Sequence, residues 1–316
     1  MTQPQRVGVL GARGFVGRAV VRALEGQATV IPLSAPRLSM EHHEVESGPP
    51  KLDPQRVDDV ASSFLGLDVV INAAGDPDAS SMDSQALLAA NALMPLLVYR
   101  ASQQAQVQRF VHISSAVVQG DRPSLDASPD WRPFSPYSQS KVAGEKWLLD
   151  AAGEPTELVI YRPPSVHAPG RGVTVKIARL ARGSGRSVAG SGDRPTPQAL
   201  LENVADAVRF LAMAEVAPPK VVHHPWEGMT TATLMSALGG RDPRCIPASV
   251  CSVICTTARW SERVLPRVAP NRRRLEMMWF GQGVEPSWLT SAGWSPPKSG
   301  LEPWVELVAN SKELEG

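Results

Sequence analysis

Gly11, Gly14 and Gly17 stand between an apolar run at 6–10 and a run at 16–24 whose apolar residues recur at helical spacing, and this junction constrains the chain more than any other stretch. The first run reads as a strand and the second as a helix, joined by a tight turn. Glycines there let backbone N–H groups approach an anion, and the start of a helix favours negative charge. The alternation continues, with strands predicted at 29–33, 67–72, 109–114 and 157–162 and helices at 57–65 and 85–105. Buried apolar strands separated by helices imply an α/β chain built on a doubly wound parallel sheet of the Rossmann type.

Beyond residue 169, glycine and proline interrupt this pattern, most densely over 183–197, before helices predicted at 198–215 and 230–238. We assign residues 1–169 to a nucleotide-binding domain and 170–316 mainly to a smaller C-terminal α/β substrate domain. Residues 198–224 are expected to return to the first domain, because 220–223 reads as one more strand of its sheet. A formal net charge of +1 provides no global field for nucleic acid or an anionic membrane. No run of about eighteen apolar residues occurs, so no membrane span is expected. The polar start from Met1 to Arg6 lacks a secretory pattern, which points to the cytoplasm. Cys245, Cys251 and Cys255 lack metal-ligand spacing and read as buried small apolar groups. His42-His43 and His223-His224 would point to opposite faces of a strand, so no metal is expected.

In its strand-loop-helix setting, Gly-x-x-Gly-x-x-Gly is a loop that cradles a dinucleotide pyrophosphate. Gly11, Arg13, Gly14, Phe15, Val16 and Gly17 are its candidate contacts. NAD sites usually place an acidic residue after the second strand, and none occurs from Ile31 to Arg37. Ser34 and Arg37, with Arg13, instead offer groups to a 2′-phosphate. NADP is the expected cofactor and NAD the alternative, the choice staying open if these arginines are merely solvated.

Pro136 to Lys141 opens another helix-patterned run in which Tyr137 and Lys141, four apart, share a face. A phenol is a poor acid–base at neutral pH, and a neighbouring ammonium is expected to bring its pKa toward the operating range. Upstream, Phe110 to Ser115 is a strand ending in hydroxyls. With these stand Asn72-Ala73-Ala74-Gly75 after a strand, Asn91 in a helix, Tyr161-Arg162-Pro163, Val204-Ala205-Asp206 and Gly293-Trp294-Ser295-Pro296. In this order the landmarks resemble the extended short-chain dehydrogenases/reductases, the NAD-dependent epimerase/dehydratase family, over nearly the whole chain.

The resemblance implies an NAD(P)-dependent enzyme with Ser115, Tyr137 and Lys141 as its catalytic residues. Ser115 would hydrogen-bond the substrate oxygen, Tyr137 exchange a proton with it, and Tyr137 and Lys141 also hold the nicotinamide ribose. Ala73, Ala74, Gly75 and Asn91 would serve the cofactor site and Pro163 would abut the nicotinamide, while Ser115, Ser165 and Arg194 are the substrate-binding candidates. Ala116-Val117 replaces the acidic pair of sugar dehydratases, which removes that reaction. Reduction of a keto group on a nucleotide-linked deoxysugar is the leading expectation. A nucleotide-sugar 4-epimerase with tightly held NAD and a non-catalytic NAD(P)-binding sensor or scaffold are the alternatives, and a steroid or flavonoid-type alcohol dehydrogenase uses the same site. Arg171, Lys176, Arg179, Arg182, Arg186 and the Arg272-Arg273-Arg274 run are candidates for a diphosphate clamp. The resemblance also implies a homodimer formed through helices 85–105 and 137–149.

Overall fold

The computed structural model describes residues 4–40, 49–261 and 269–309, so His42 and His43 lie outside the described residues. Strands β1 (Arg6–Leu10), β2 (Thr29–Leu33), β3 (Val69–Asn72) and β4 (Arg109–Ile113) alternate with α1 (Phe15–Leu24), α2 (Pro54–Ser62), α3 (Ser84–Leu88) and α4 (Met94–Gln104). After β5 (Ser124–Leu125), α5 (Pro136–Ala151) leads to β6 (Glu157–Arg162) and β7 (Ser165–His167). Then follow α6 (Gly172–Arg182), β8 (Ser187–Ala189), β9 (Gln198–Leu200), α7 (Leu201–Met213), β10 (Val221–His223) and α8 (Thr231–Gly239). The chain continues through β11 (Arg244–Ile246), α9 (Ala248–Ser261), α10 (Ala269–Phe280), β12 (Gly283–Val284), α11 (Trp288–Ser291) and α12 (Glu302–Ala309).

Six strands form one parallel sheet in the order β10-β6-β4-β3-β1-β2. Val7 lies opposite Val30 on one side and Val69 on the other, so β1 sits between β2 and β3. Strand order reverses there, and the carboxyl ends at such a switch point leave a crevice for a ligand. Alternate strand residues feed two cores, Val70, Phe110 and Leu158 facing α2, α4 and α5 while Val7, Val111 and Val159 face α1 and α7. Burying one large apolar side chain contributes about 1.5–3 kcal/mol, which makes these two layers the main restraint on the crevice geometry. A third cluster joins α6, α8 and α12 around Leu200, Leu234 and Trp304, and a fourth gathers Cys251, Cys255 and Trp279. Among the described residues no helix is long and apolar enough to cross a membrane, and no three metal-ligating side chains gather.

Local chemistry moves several predicted boundaries. The helix expected at 57–65 starts earlier because Asp53 accepts from Gln55 N at 3.1 Å and Pro54 takes the first helical position. The helix expected over 85–105 is interrupted by a π turn at Ala89–Leu93. Residues 198–200 pair with β7 as a strand, so the helix expected from 198 begins at Leu201. Cys245 is exposed rather than buried, being on the short edge strand β11.

Candidate active site

Gly14 N donates to Gly11 O at 2.8 Å, closing a tight turn in which Gly11 takes φ +75°, a conformation that strains an L side chain. A Cβ on Gly11 would meet the Ala73 and Ala74 backbone at 2.8 Å, and one on Gly17 would meet the Gly11 carbonyl oxygen at 2.0 Å. The loop therefore lies directly against the turn that follows β3. No side chain caps α1 and no acid occupies its first turn, which leaves its first N–H groups oriented for an anion. These features fit a dinucleotide pyrophosphate. Arg13, Ser34 and Arg37 are exposed, the last two just past β2. The Arg171 guanidinium stacks 4.0 Å from the Phe15 ring centroid, at this same loop.

The start of α5 is set by a capping box, Ser135 Oγ accepting from Ser138 N at 3.2 Å and Ser138 Oγ accepting from Ser135 N at 2.8 Å. Pro136 takes the first helical position, which puts Tyr137 in the first turn and Lys141 one turn later. Ser115 follows β4, accepts from Val117 N at 3.3 Å, and lines the same cleft as Tyr137, whose phenol it acts on. Ser114 is turned elsewhere, its hydroxyl donating to Glu145 Oε1 at 2.6 Å. Val16, Ala73, Ala74, Gly75, Ser115, Tyr137, Lys141, Pro163 and Ser165 line a single cleft of about 860 Å³. That size suits a small-molecule site.

Burial pushes the Tyr137 phenol up to about 12, with the Ser115 hydrogen bond acting downward, Asp76 upward and Arg171 downward. The downward pull expected of Lys141 is not among these causes; its Nζ donates to Ile113 O at 3.5 Å. Lys141 is itself buried, and desolvation brings it from 10.5 down to about 8 against the opposing charges of Glu145 and Asp76. Burial, and then the Lys141 charge, also holds His112 well below the usual imidazole range.

A lysine held near 8 destabilises the fold by about 3 kcal/mol below pH 8. The unfolded chain binds that proton more tightly, so this penalty shrinks as pH rises from 8 to 10.5. Lys141→Met is therefore expected to raise the thermal midpoint at pH 7, to remove the gain in stability through that window, and to lose turnover. Denaturation curves across pH with parallel rate assays check all three, and a lowered midpoint at pH 7 would contradict the burial penalty.

Asn91 does not face the cofactor loop as the sequence implied. Its Oδ1 accepts from Asp76 N at 3.0 Å, and its Nδ2 donates to Asp76 O and Ser140 Oγ, each at 3.1 Å. It pins the Gly75–Asp76 turn to α5 instead. Arg194 is a second correction, being exposed and outside the cleft lining, with its carbonyl accepting from Thr231 N. Arg179 and Arg182 are exposed on the far side of α6. Arg186 donates to Asp242 O and Gly183 O, and the buried Arg273 donates to Gly120 O, Arg122 O and Glu276. The side chains of Arg272 and Arg274 lie outside the described residues. His224, raised as one of an adjacent pair, bonds Tyr161 Oη and Glu227 Oε1.

Sequence reading missed Asp76 and Glu145. Asp76 directly follows the glycine of its turn and acts electrostatically on both Tyr137 and Lys141. Glu145 is wholly buried and pairs with Arg162 at 2.6 Å, while Trp131 Nε1 donates to it at 2.8 Å. Its signal was available, since Tyr137, Lys141 and Glu145 recur at intervals of four on one helix.

A doubly wound parallel sheet, a glycine loop at its switch point and a Ser, Tyr and Lys group on one cleft define an NAD(P)-dependent enzyme of the oxidoreductase and epimerase class. The chain belongs to the NAD-dependent epimerase/dehydratase family, whose family model matches residues 7–222. It is 31% identical over 161 residues to a 4-hydroxy-2-methyl-3-oxo-4-farnesyl-3,4-dihydroquinoline-1-oxide ketoreductase from Stigmatella aurantiaca. That match spans 49% of this chain and 44% of the relative. Its fold resembles the UDP-N-acetylglucosamine 4-epimerase of Methanobrevibacter ruminantium, solved with UDP-N-acetylmuramic acid, at 18% identity and TM-score 0.67, covering 98% of this chain and 100% of that one. The dTDP-4-dehydrorhamnose reductase of Bacillus anthracis, solved with NADP, is similar at 16% identity and TM-score 0.64 over 98% and 100% of the two chains.

Proposed function

We propose that this protein is an NADP-dependent ketoreductase. The observation that carries the reading is the Tyr137 phenol, set with Ser115 on the wall of a cleft that also reaches the glycine loop and Lys141. Nicotinamide bound there supplies hydride to a carbonyl carbon. Ser115 orients the carbonyl oxygen and Tyr137 delivers the proton to it, its raised pKa keeping the donor loaded at every physiological pH. Lys141 places a positive charge behind the site. Solvent then reprotonates Tyr137.

Support for reduction over epimerisation comes from the cofactor end and from the ketoreductase relative. The end of β2 bears Ser34 and Arg37 and no carboxylate, an arrangement suited to the 2′-phosphate of a dissociable NADPH. The expected result is a KM for NADPH about tenfold or more below that for NADH, an advantage that Arg37→Ala removes. Net oxidation of added NADPH by ketone is the deciding assay. Retained NAD with interconversion of a nucleotide-linked sugar and no net oxidation would mean an epimerase instead.

Residues 1–169, joined by 198–224, supply the cofactor half in this reading, and the remainder of 170–316 supplies the substrate half. We place the enzyme in the cytoplasm as a homodimer formed through α3, α4 and α5. Leu96, Arg100, Gln104 and Trp147 of α4 and α5 line a separate groove of about 640 Å³ on that face.

A further inference from the structure

We infer that the ketone this site takes is an apolar ring compound without phosphate, a fused ring system or a ring carrying a hydrocarbon chain, rather than a nucleotide-linked sugar. The inference rests on the ketoreductase reading above and deepens it.

The part of the cleft beyond Tyr137 is walled by three helices. Val173, Ile177 and Leu180 form a stripe on α6, Leu234 faces it from α8, and Met277 and Met278 close it from α10. Spacings of four and three place the α6 stripe on one helical face, away from the exposed Arg179 and Arg182, with Lys176 at its edge. Unbranched methionines present a polarizable surface that adapts to irregular hydrocarbon shapes.

A sugar needs hydroxyl partners, and the polar side chains lining this region are already engaged by the protein. Gln198 bonds His167 Nε2 at 2.7 Å and donates to Thr196 Oγ1 at 3.0 Å. Thr231 Oγ1 donates to Gly192 O at 2.9 Å, and Gln282 Nε2 donates to Arg122 O at 2.7 Å and Gln119 O at 3.2 Å. Ser165 shares His167 Nε2 at 3.3 Å. A sugar hydroxyl that met these groups would have to share or displace bonds the protein already makes.

A diphosphate needs cations, and most of the described candidate arginines lie away from the substrate end of the cleft. Arg171 is stacked on Phe15 at the cofactor loop, Arg186 and Arg273 bond protein carbonyls, and Arg179, Arg182 and Arg194 lie outside the lining. Beyond Lys141, the cations among the described lining residues are Lys176, at the exposed rim of α6, and Arg171, stacked on Phe15 at the cofactor loop. Among the described residues no pair of arginines forms a bidentate clamp at the substrate end.

The reaction balances as a two-electron reduction. Hydride from NADPH forms the new C–H bond, the carbonyl π bond breaks onto oxygen, and the Tyr137 proton completes the alcohol.

The test supplies the purified full chain and NADPH with trans-decalone, with androstanedione, and with a thymidine-diphosphate-linked keto-deoxysugar, following loss of reduced nicotinamide. Both apolar ketones are expected to be turned over with kcat/KM about tenfold or more above the nucleotide-linked compound. Met278→Lys and, on a different helix, Ile177→Glu are each expected to raise KM for the apolar ketones about tenfold, with thermal midpoints reporting that the variants fold. Faster turnover of the nucleotide-linked compound would overturn the substrate assignment and leave the reductase reading standing. Unchanged KM in both folded variants would also overturn it. NADPH oxidation with neither class would remove the reductase reading, and this inference with it.

Discussion

Tyr137→Phe is expected to lower kcat for NADPH-dependent ketone reduction by about 10²–10⁴ while leaving NADPH binding nearly intact. The substitution removes one oxygen from a ring held by the first turn of α5, so the cleft keeps its shape and loses its proton donor. Ser115 remains as a hydrogen-bond donor, but an aliphatic hydroxyl is too weak an acid to replace the phenol. Because the Tyr137 phenol stands up to about 12, its loss of a proton does not limit the wild-type rate below that pH. The first fall in rate on the alkaline side is instead expected near 8, where Lys141 loses its charge. Single-turnover rates and NADPH fluorescence titration separate chemistry from binding, and undiminished turnover in Tyr137→Phe would end the catalytic assignment.

Glu145→Ala is expected to destabilise the fold by about 3–5 kcal/mol, the loss that follows when one member of a buried ion pair is removed. Arg162 would keep its bonds to Asp126 O and Ser128 O at 3.0 and 2.9 Å, yet its charge would be left uncompensated in the interior. Ser114 Oγ and Trp131 Nε1 would lose their acceptor at the same time. Urea denaturation measures the loss. A second readout separates a positioning role from plain stability, since Glu145 raises the Lys141 pKa. Its removal should therefore move the alkaline limb of the rate profile to lower pH. Glu145→Gln, which keeps an acceptor for Ser114 or Trp131, should recover part of the stability and none of the pH shift. A stability loss below about 1 kcal/mol would show that the pair is not the anchor proposed here.

The glycine loop was legible because strand, turn and helix are each signalled by neighbours in the chain. Gly11 and Gly17 are small for a reason that only the packed structure reveals, the loop lying against Ala73 and Ala74 from another strand. Asn91 was recognisable as a landmark, but its bonds to Asp76 and Ser140 depend on a π turn that interrupts an otherwise regular helical pattern. Arg194 is a substrate-binding candidate by resemblance, and in the fold it is exposed and outside the cleft lining.

Periodicity and turn chemistry were enough to specify a parallel α/β sheet, because each depends on residues close together in the chain, while the family and the proposed trio of Ser115, Tyr137 and Lys141 came from the order of the landmarks and the resemblance they carry. The tuning of that trio and the walls around it were decided only on folding. Burial raises the phenol where the ammonium was expected to lower it, and Glu145 of α5 meets Arg162 of β6. Three distant helices bring Ile177, Leu234 and Met278 to one cleft. Desolvation and packing depend on every neighbour in space, and those neighbours are assembled by the tertiary fold.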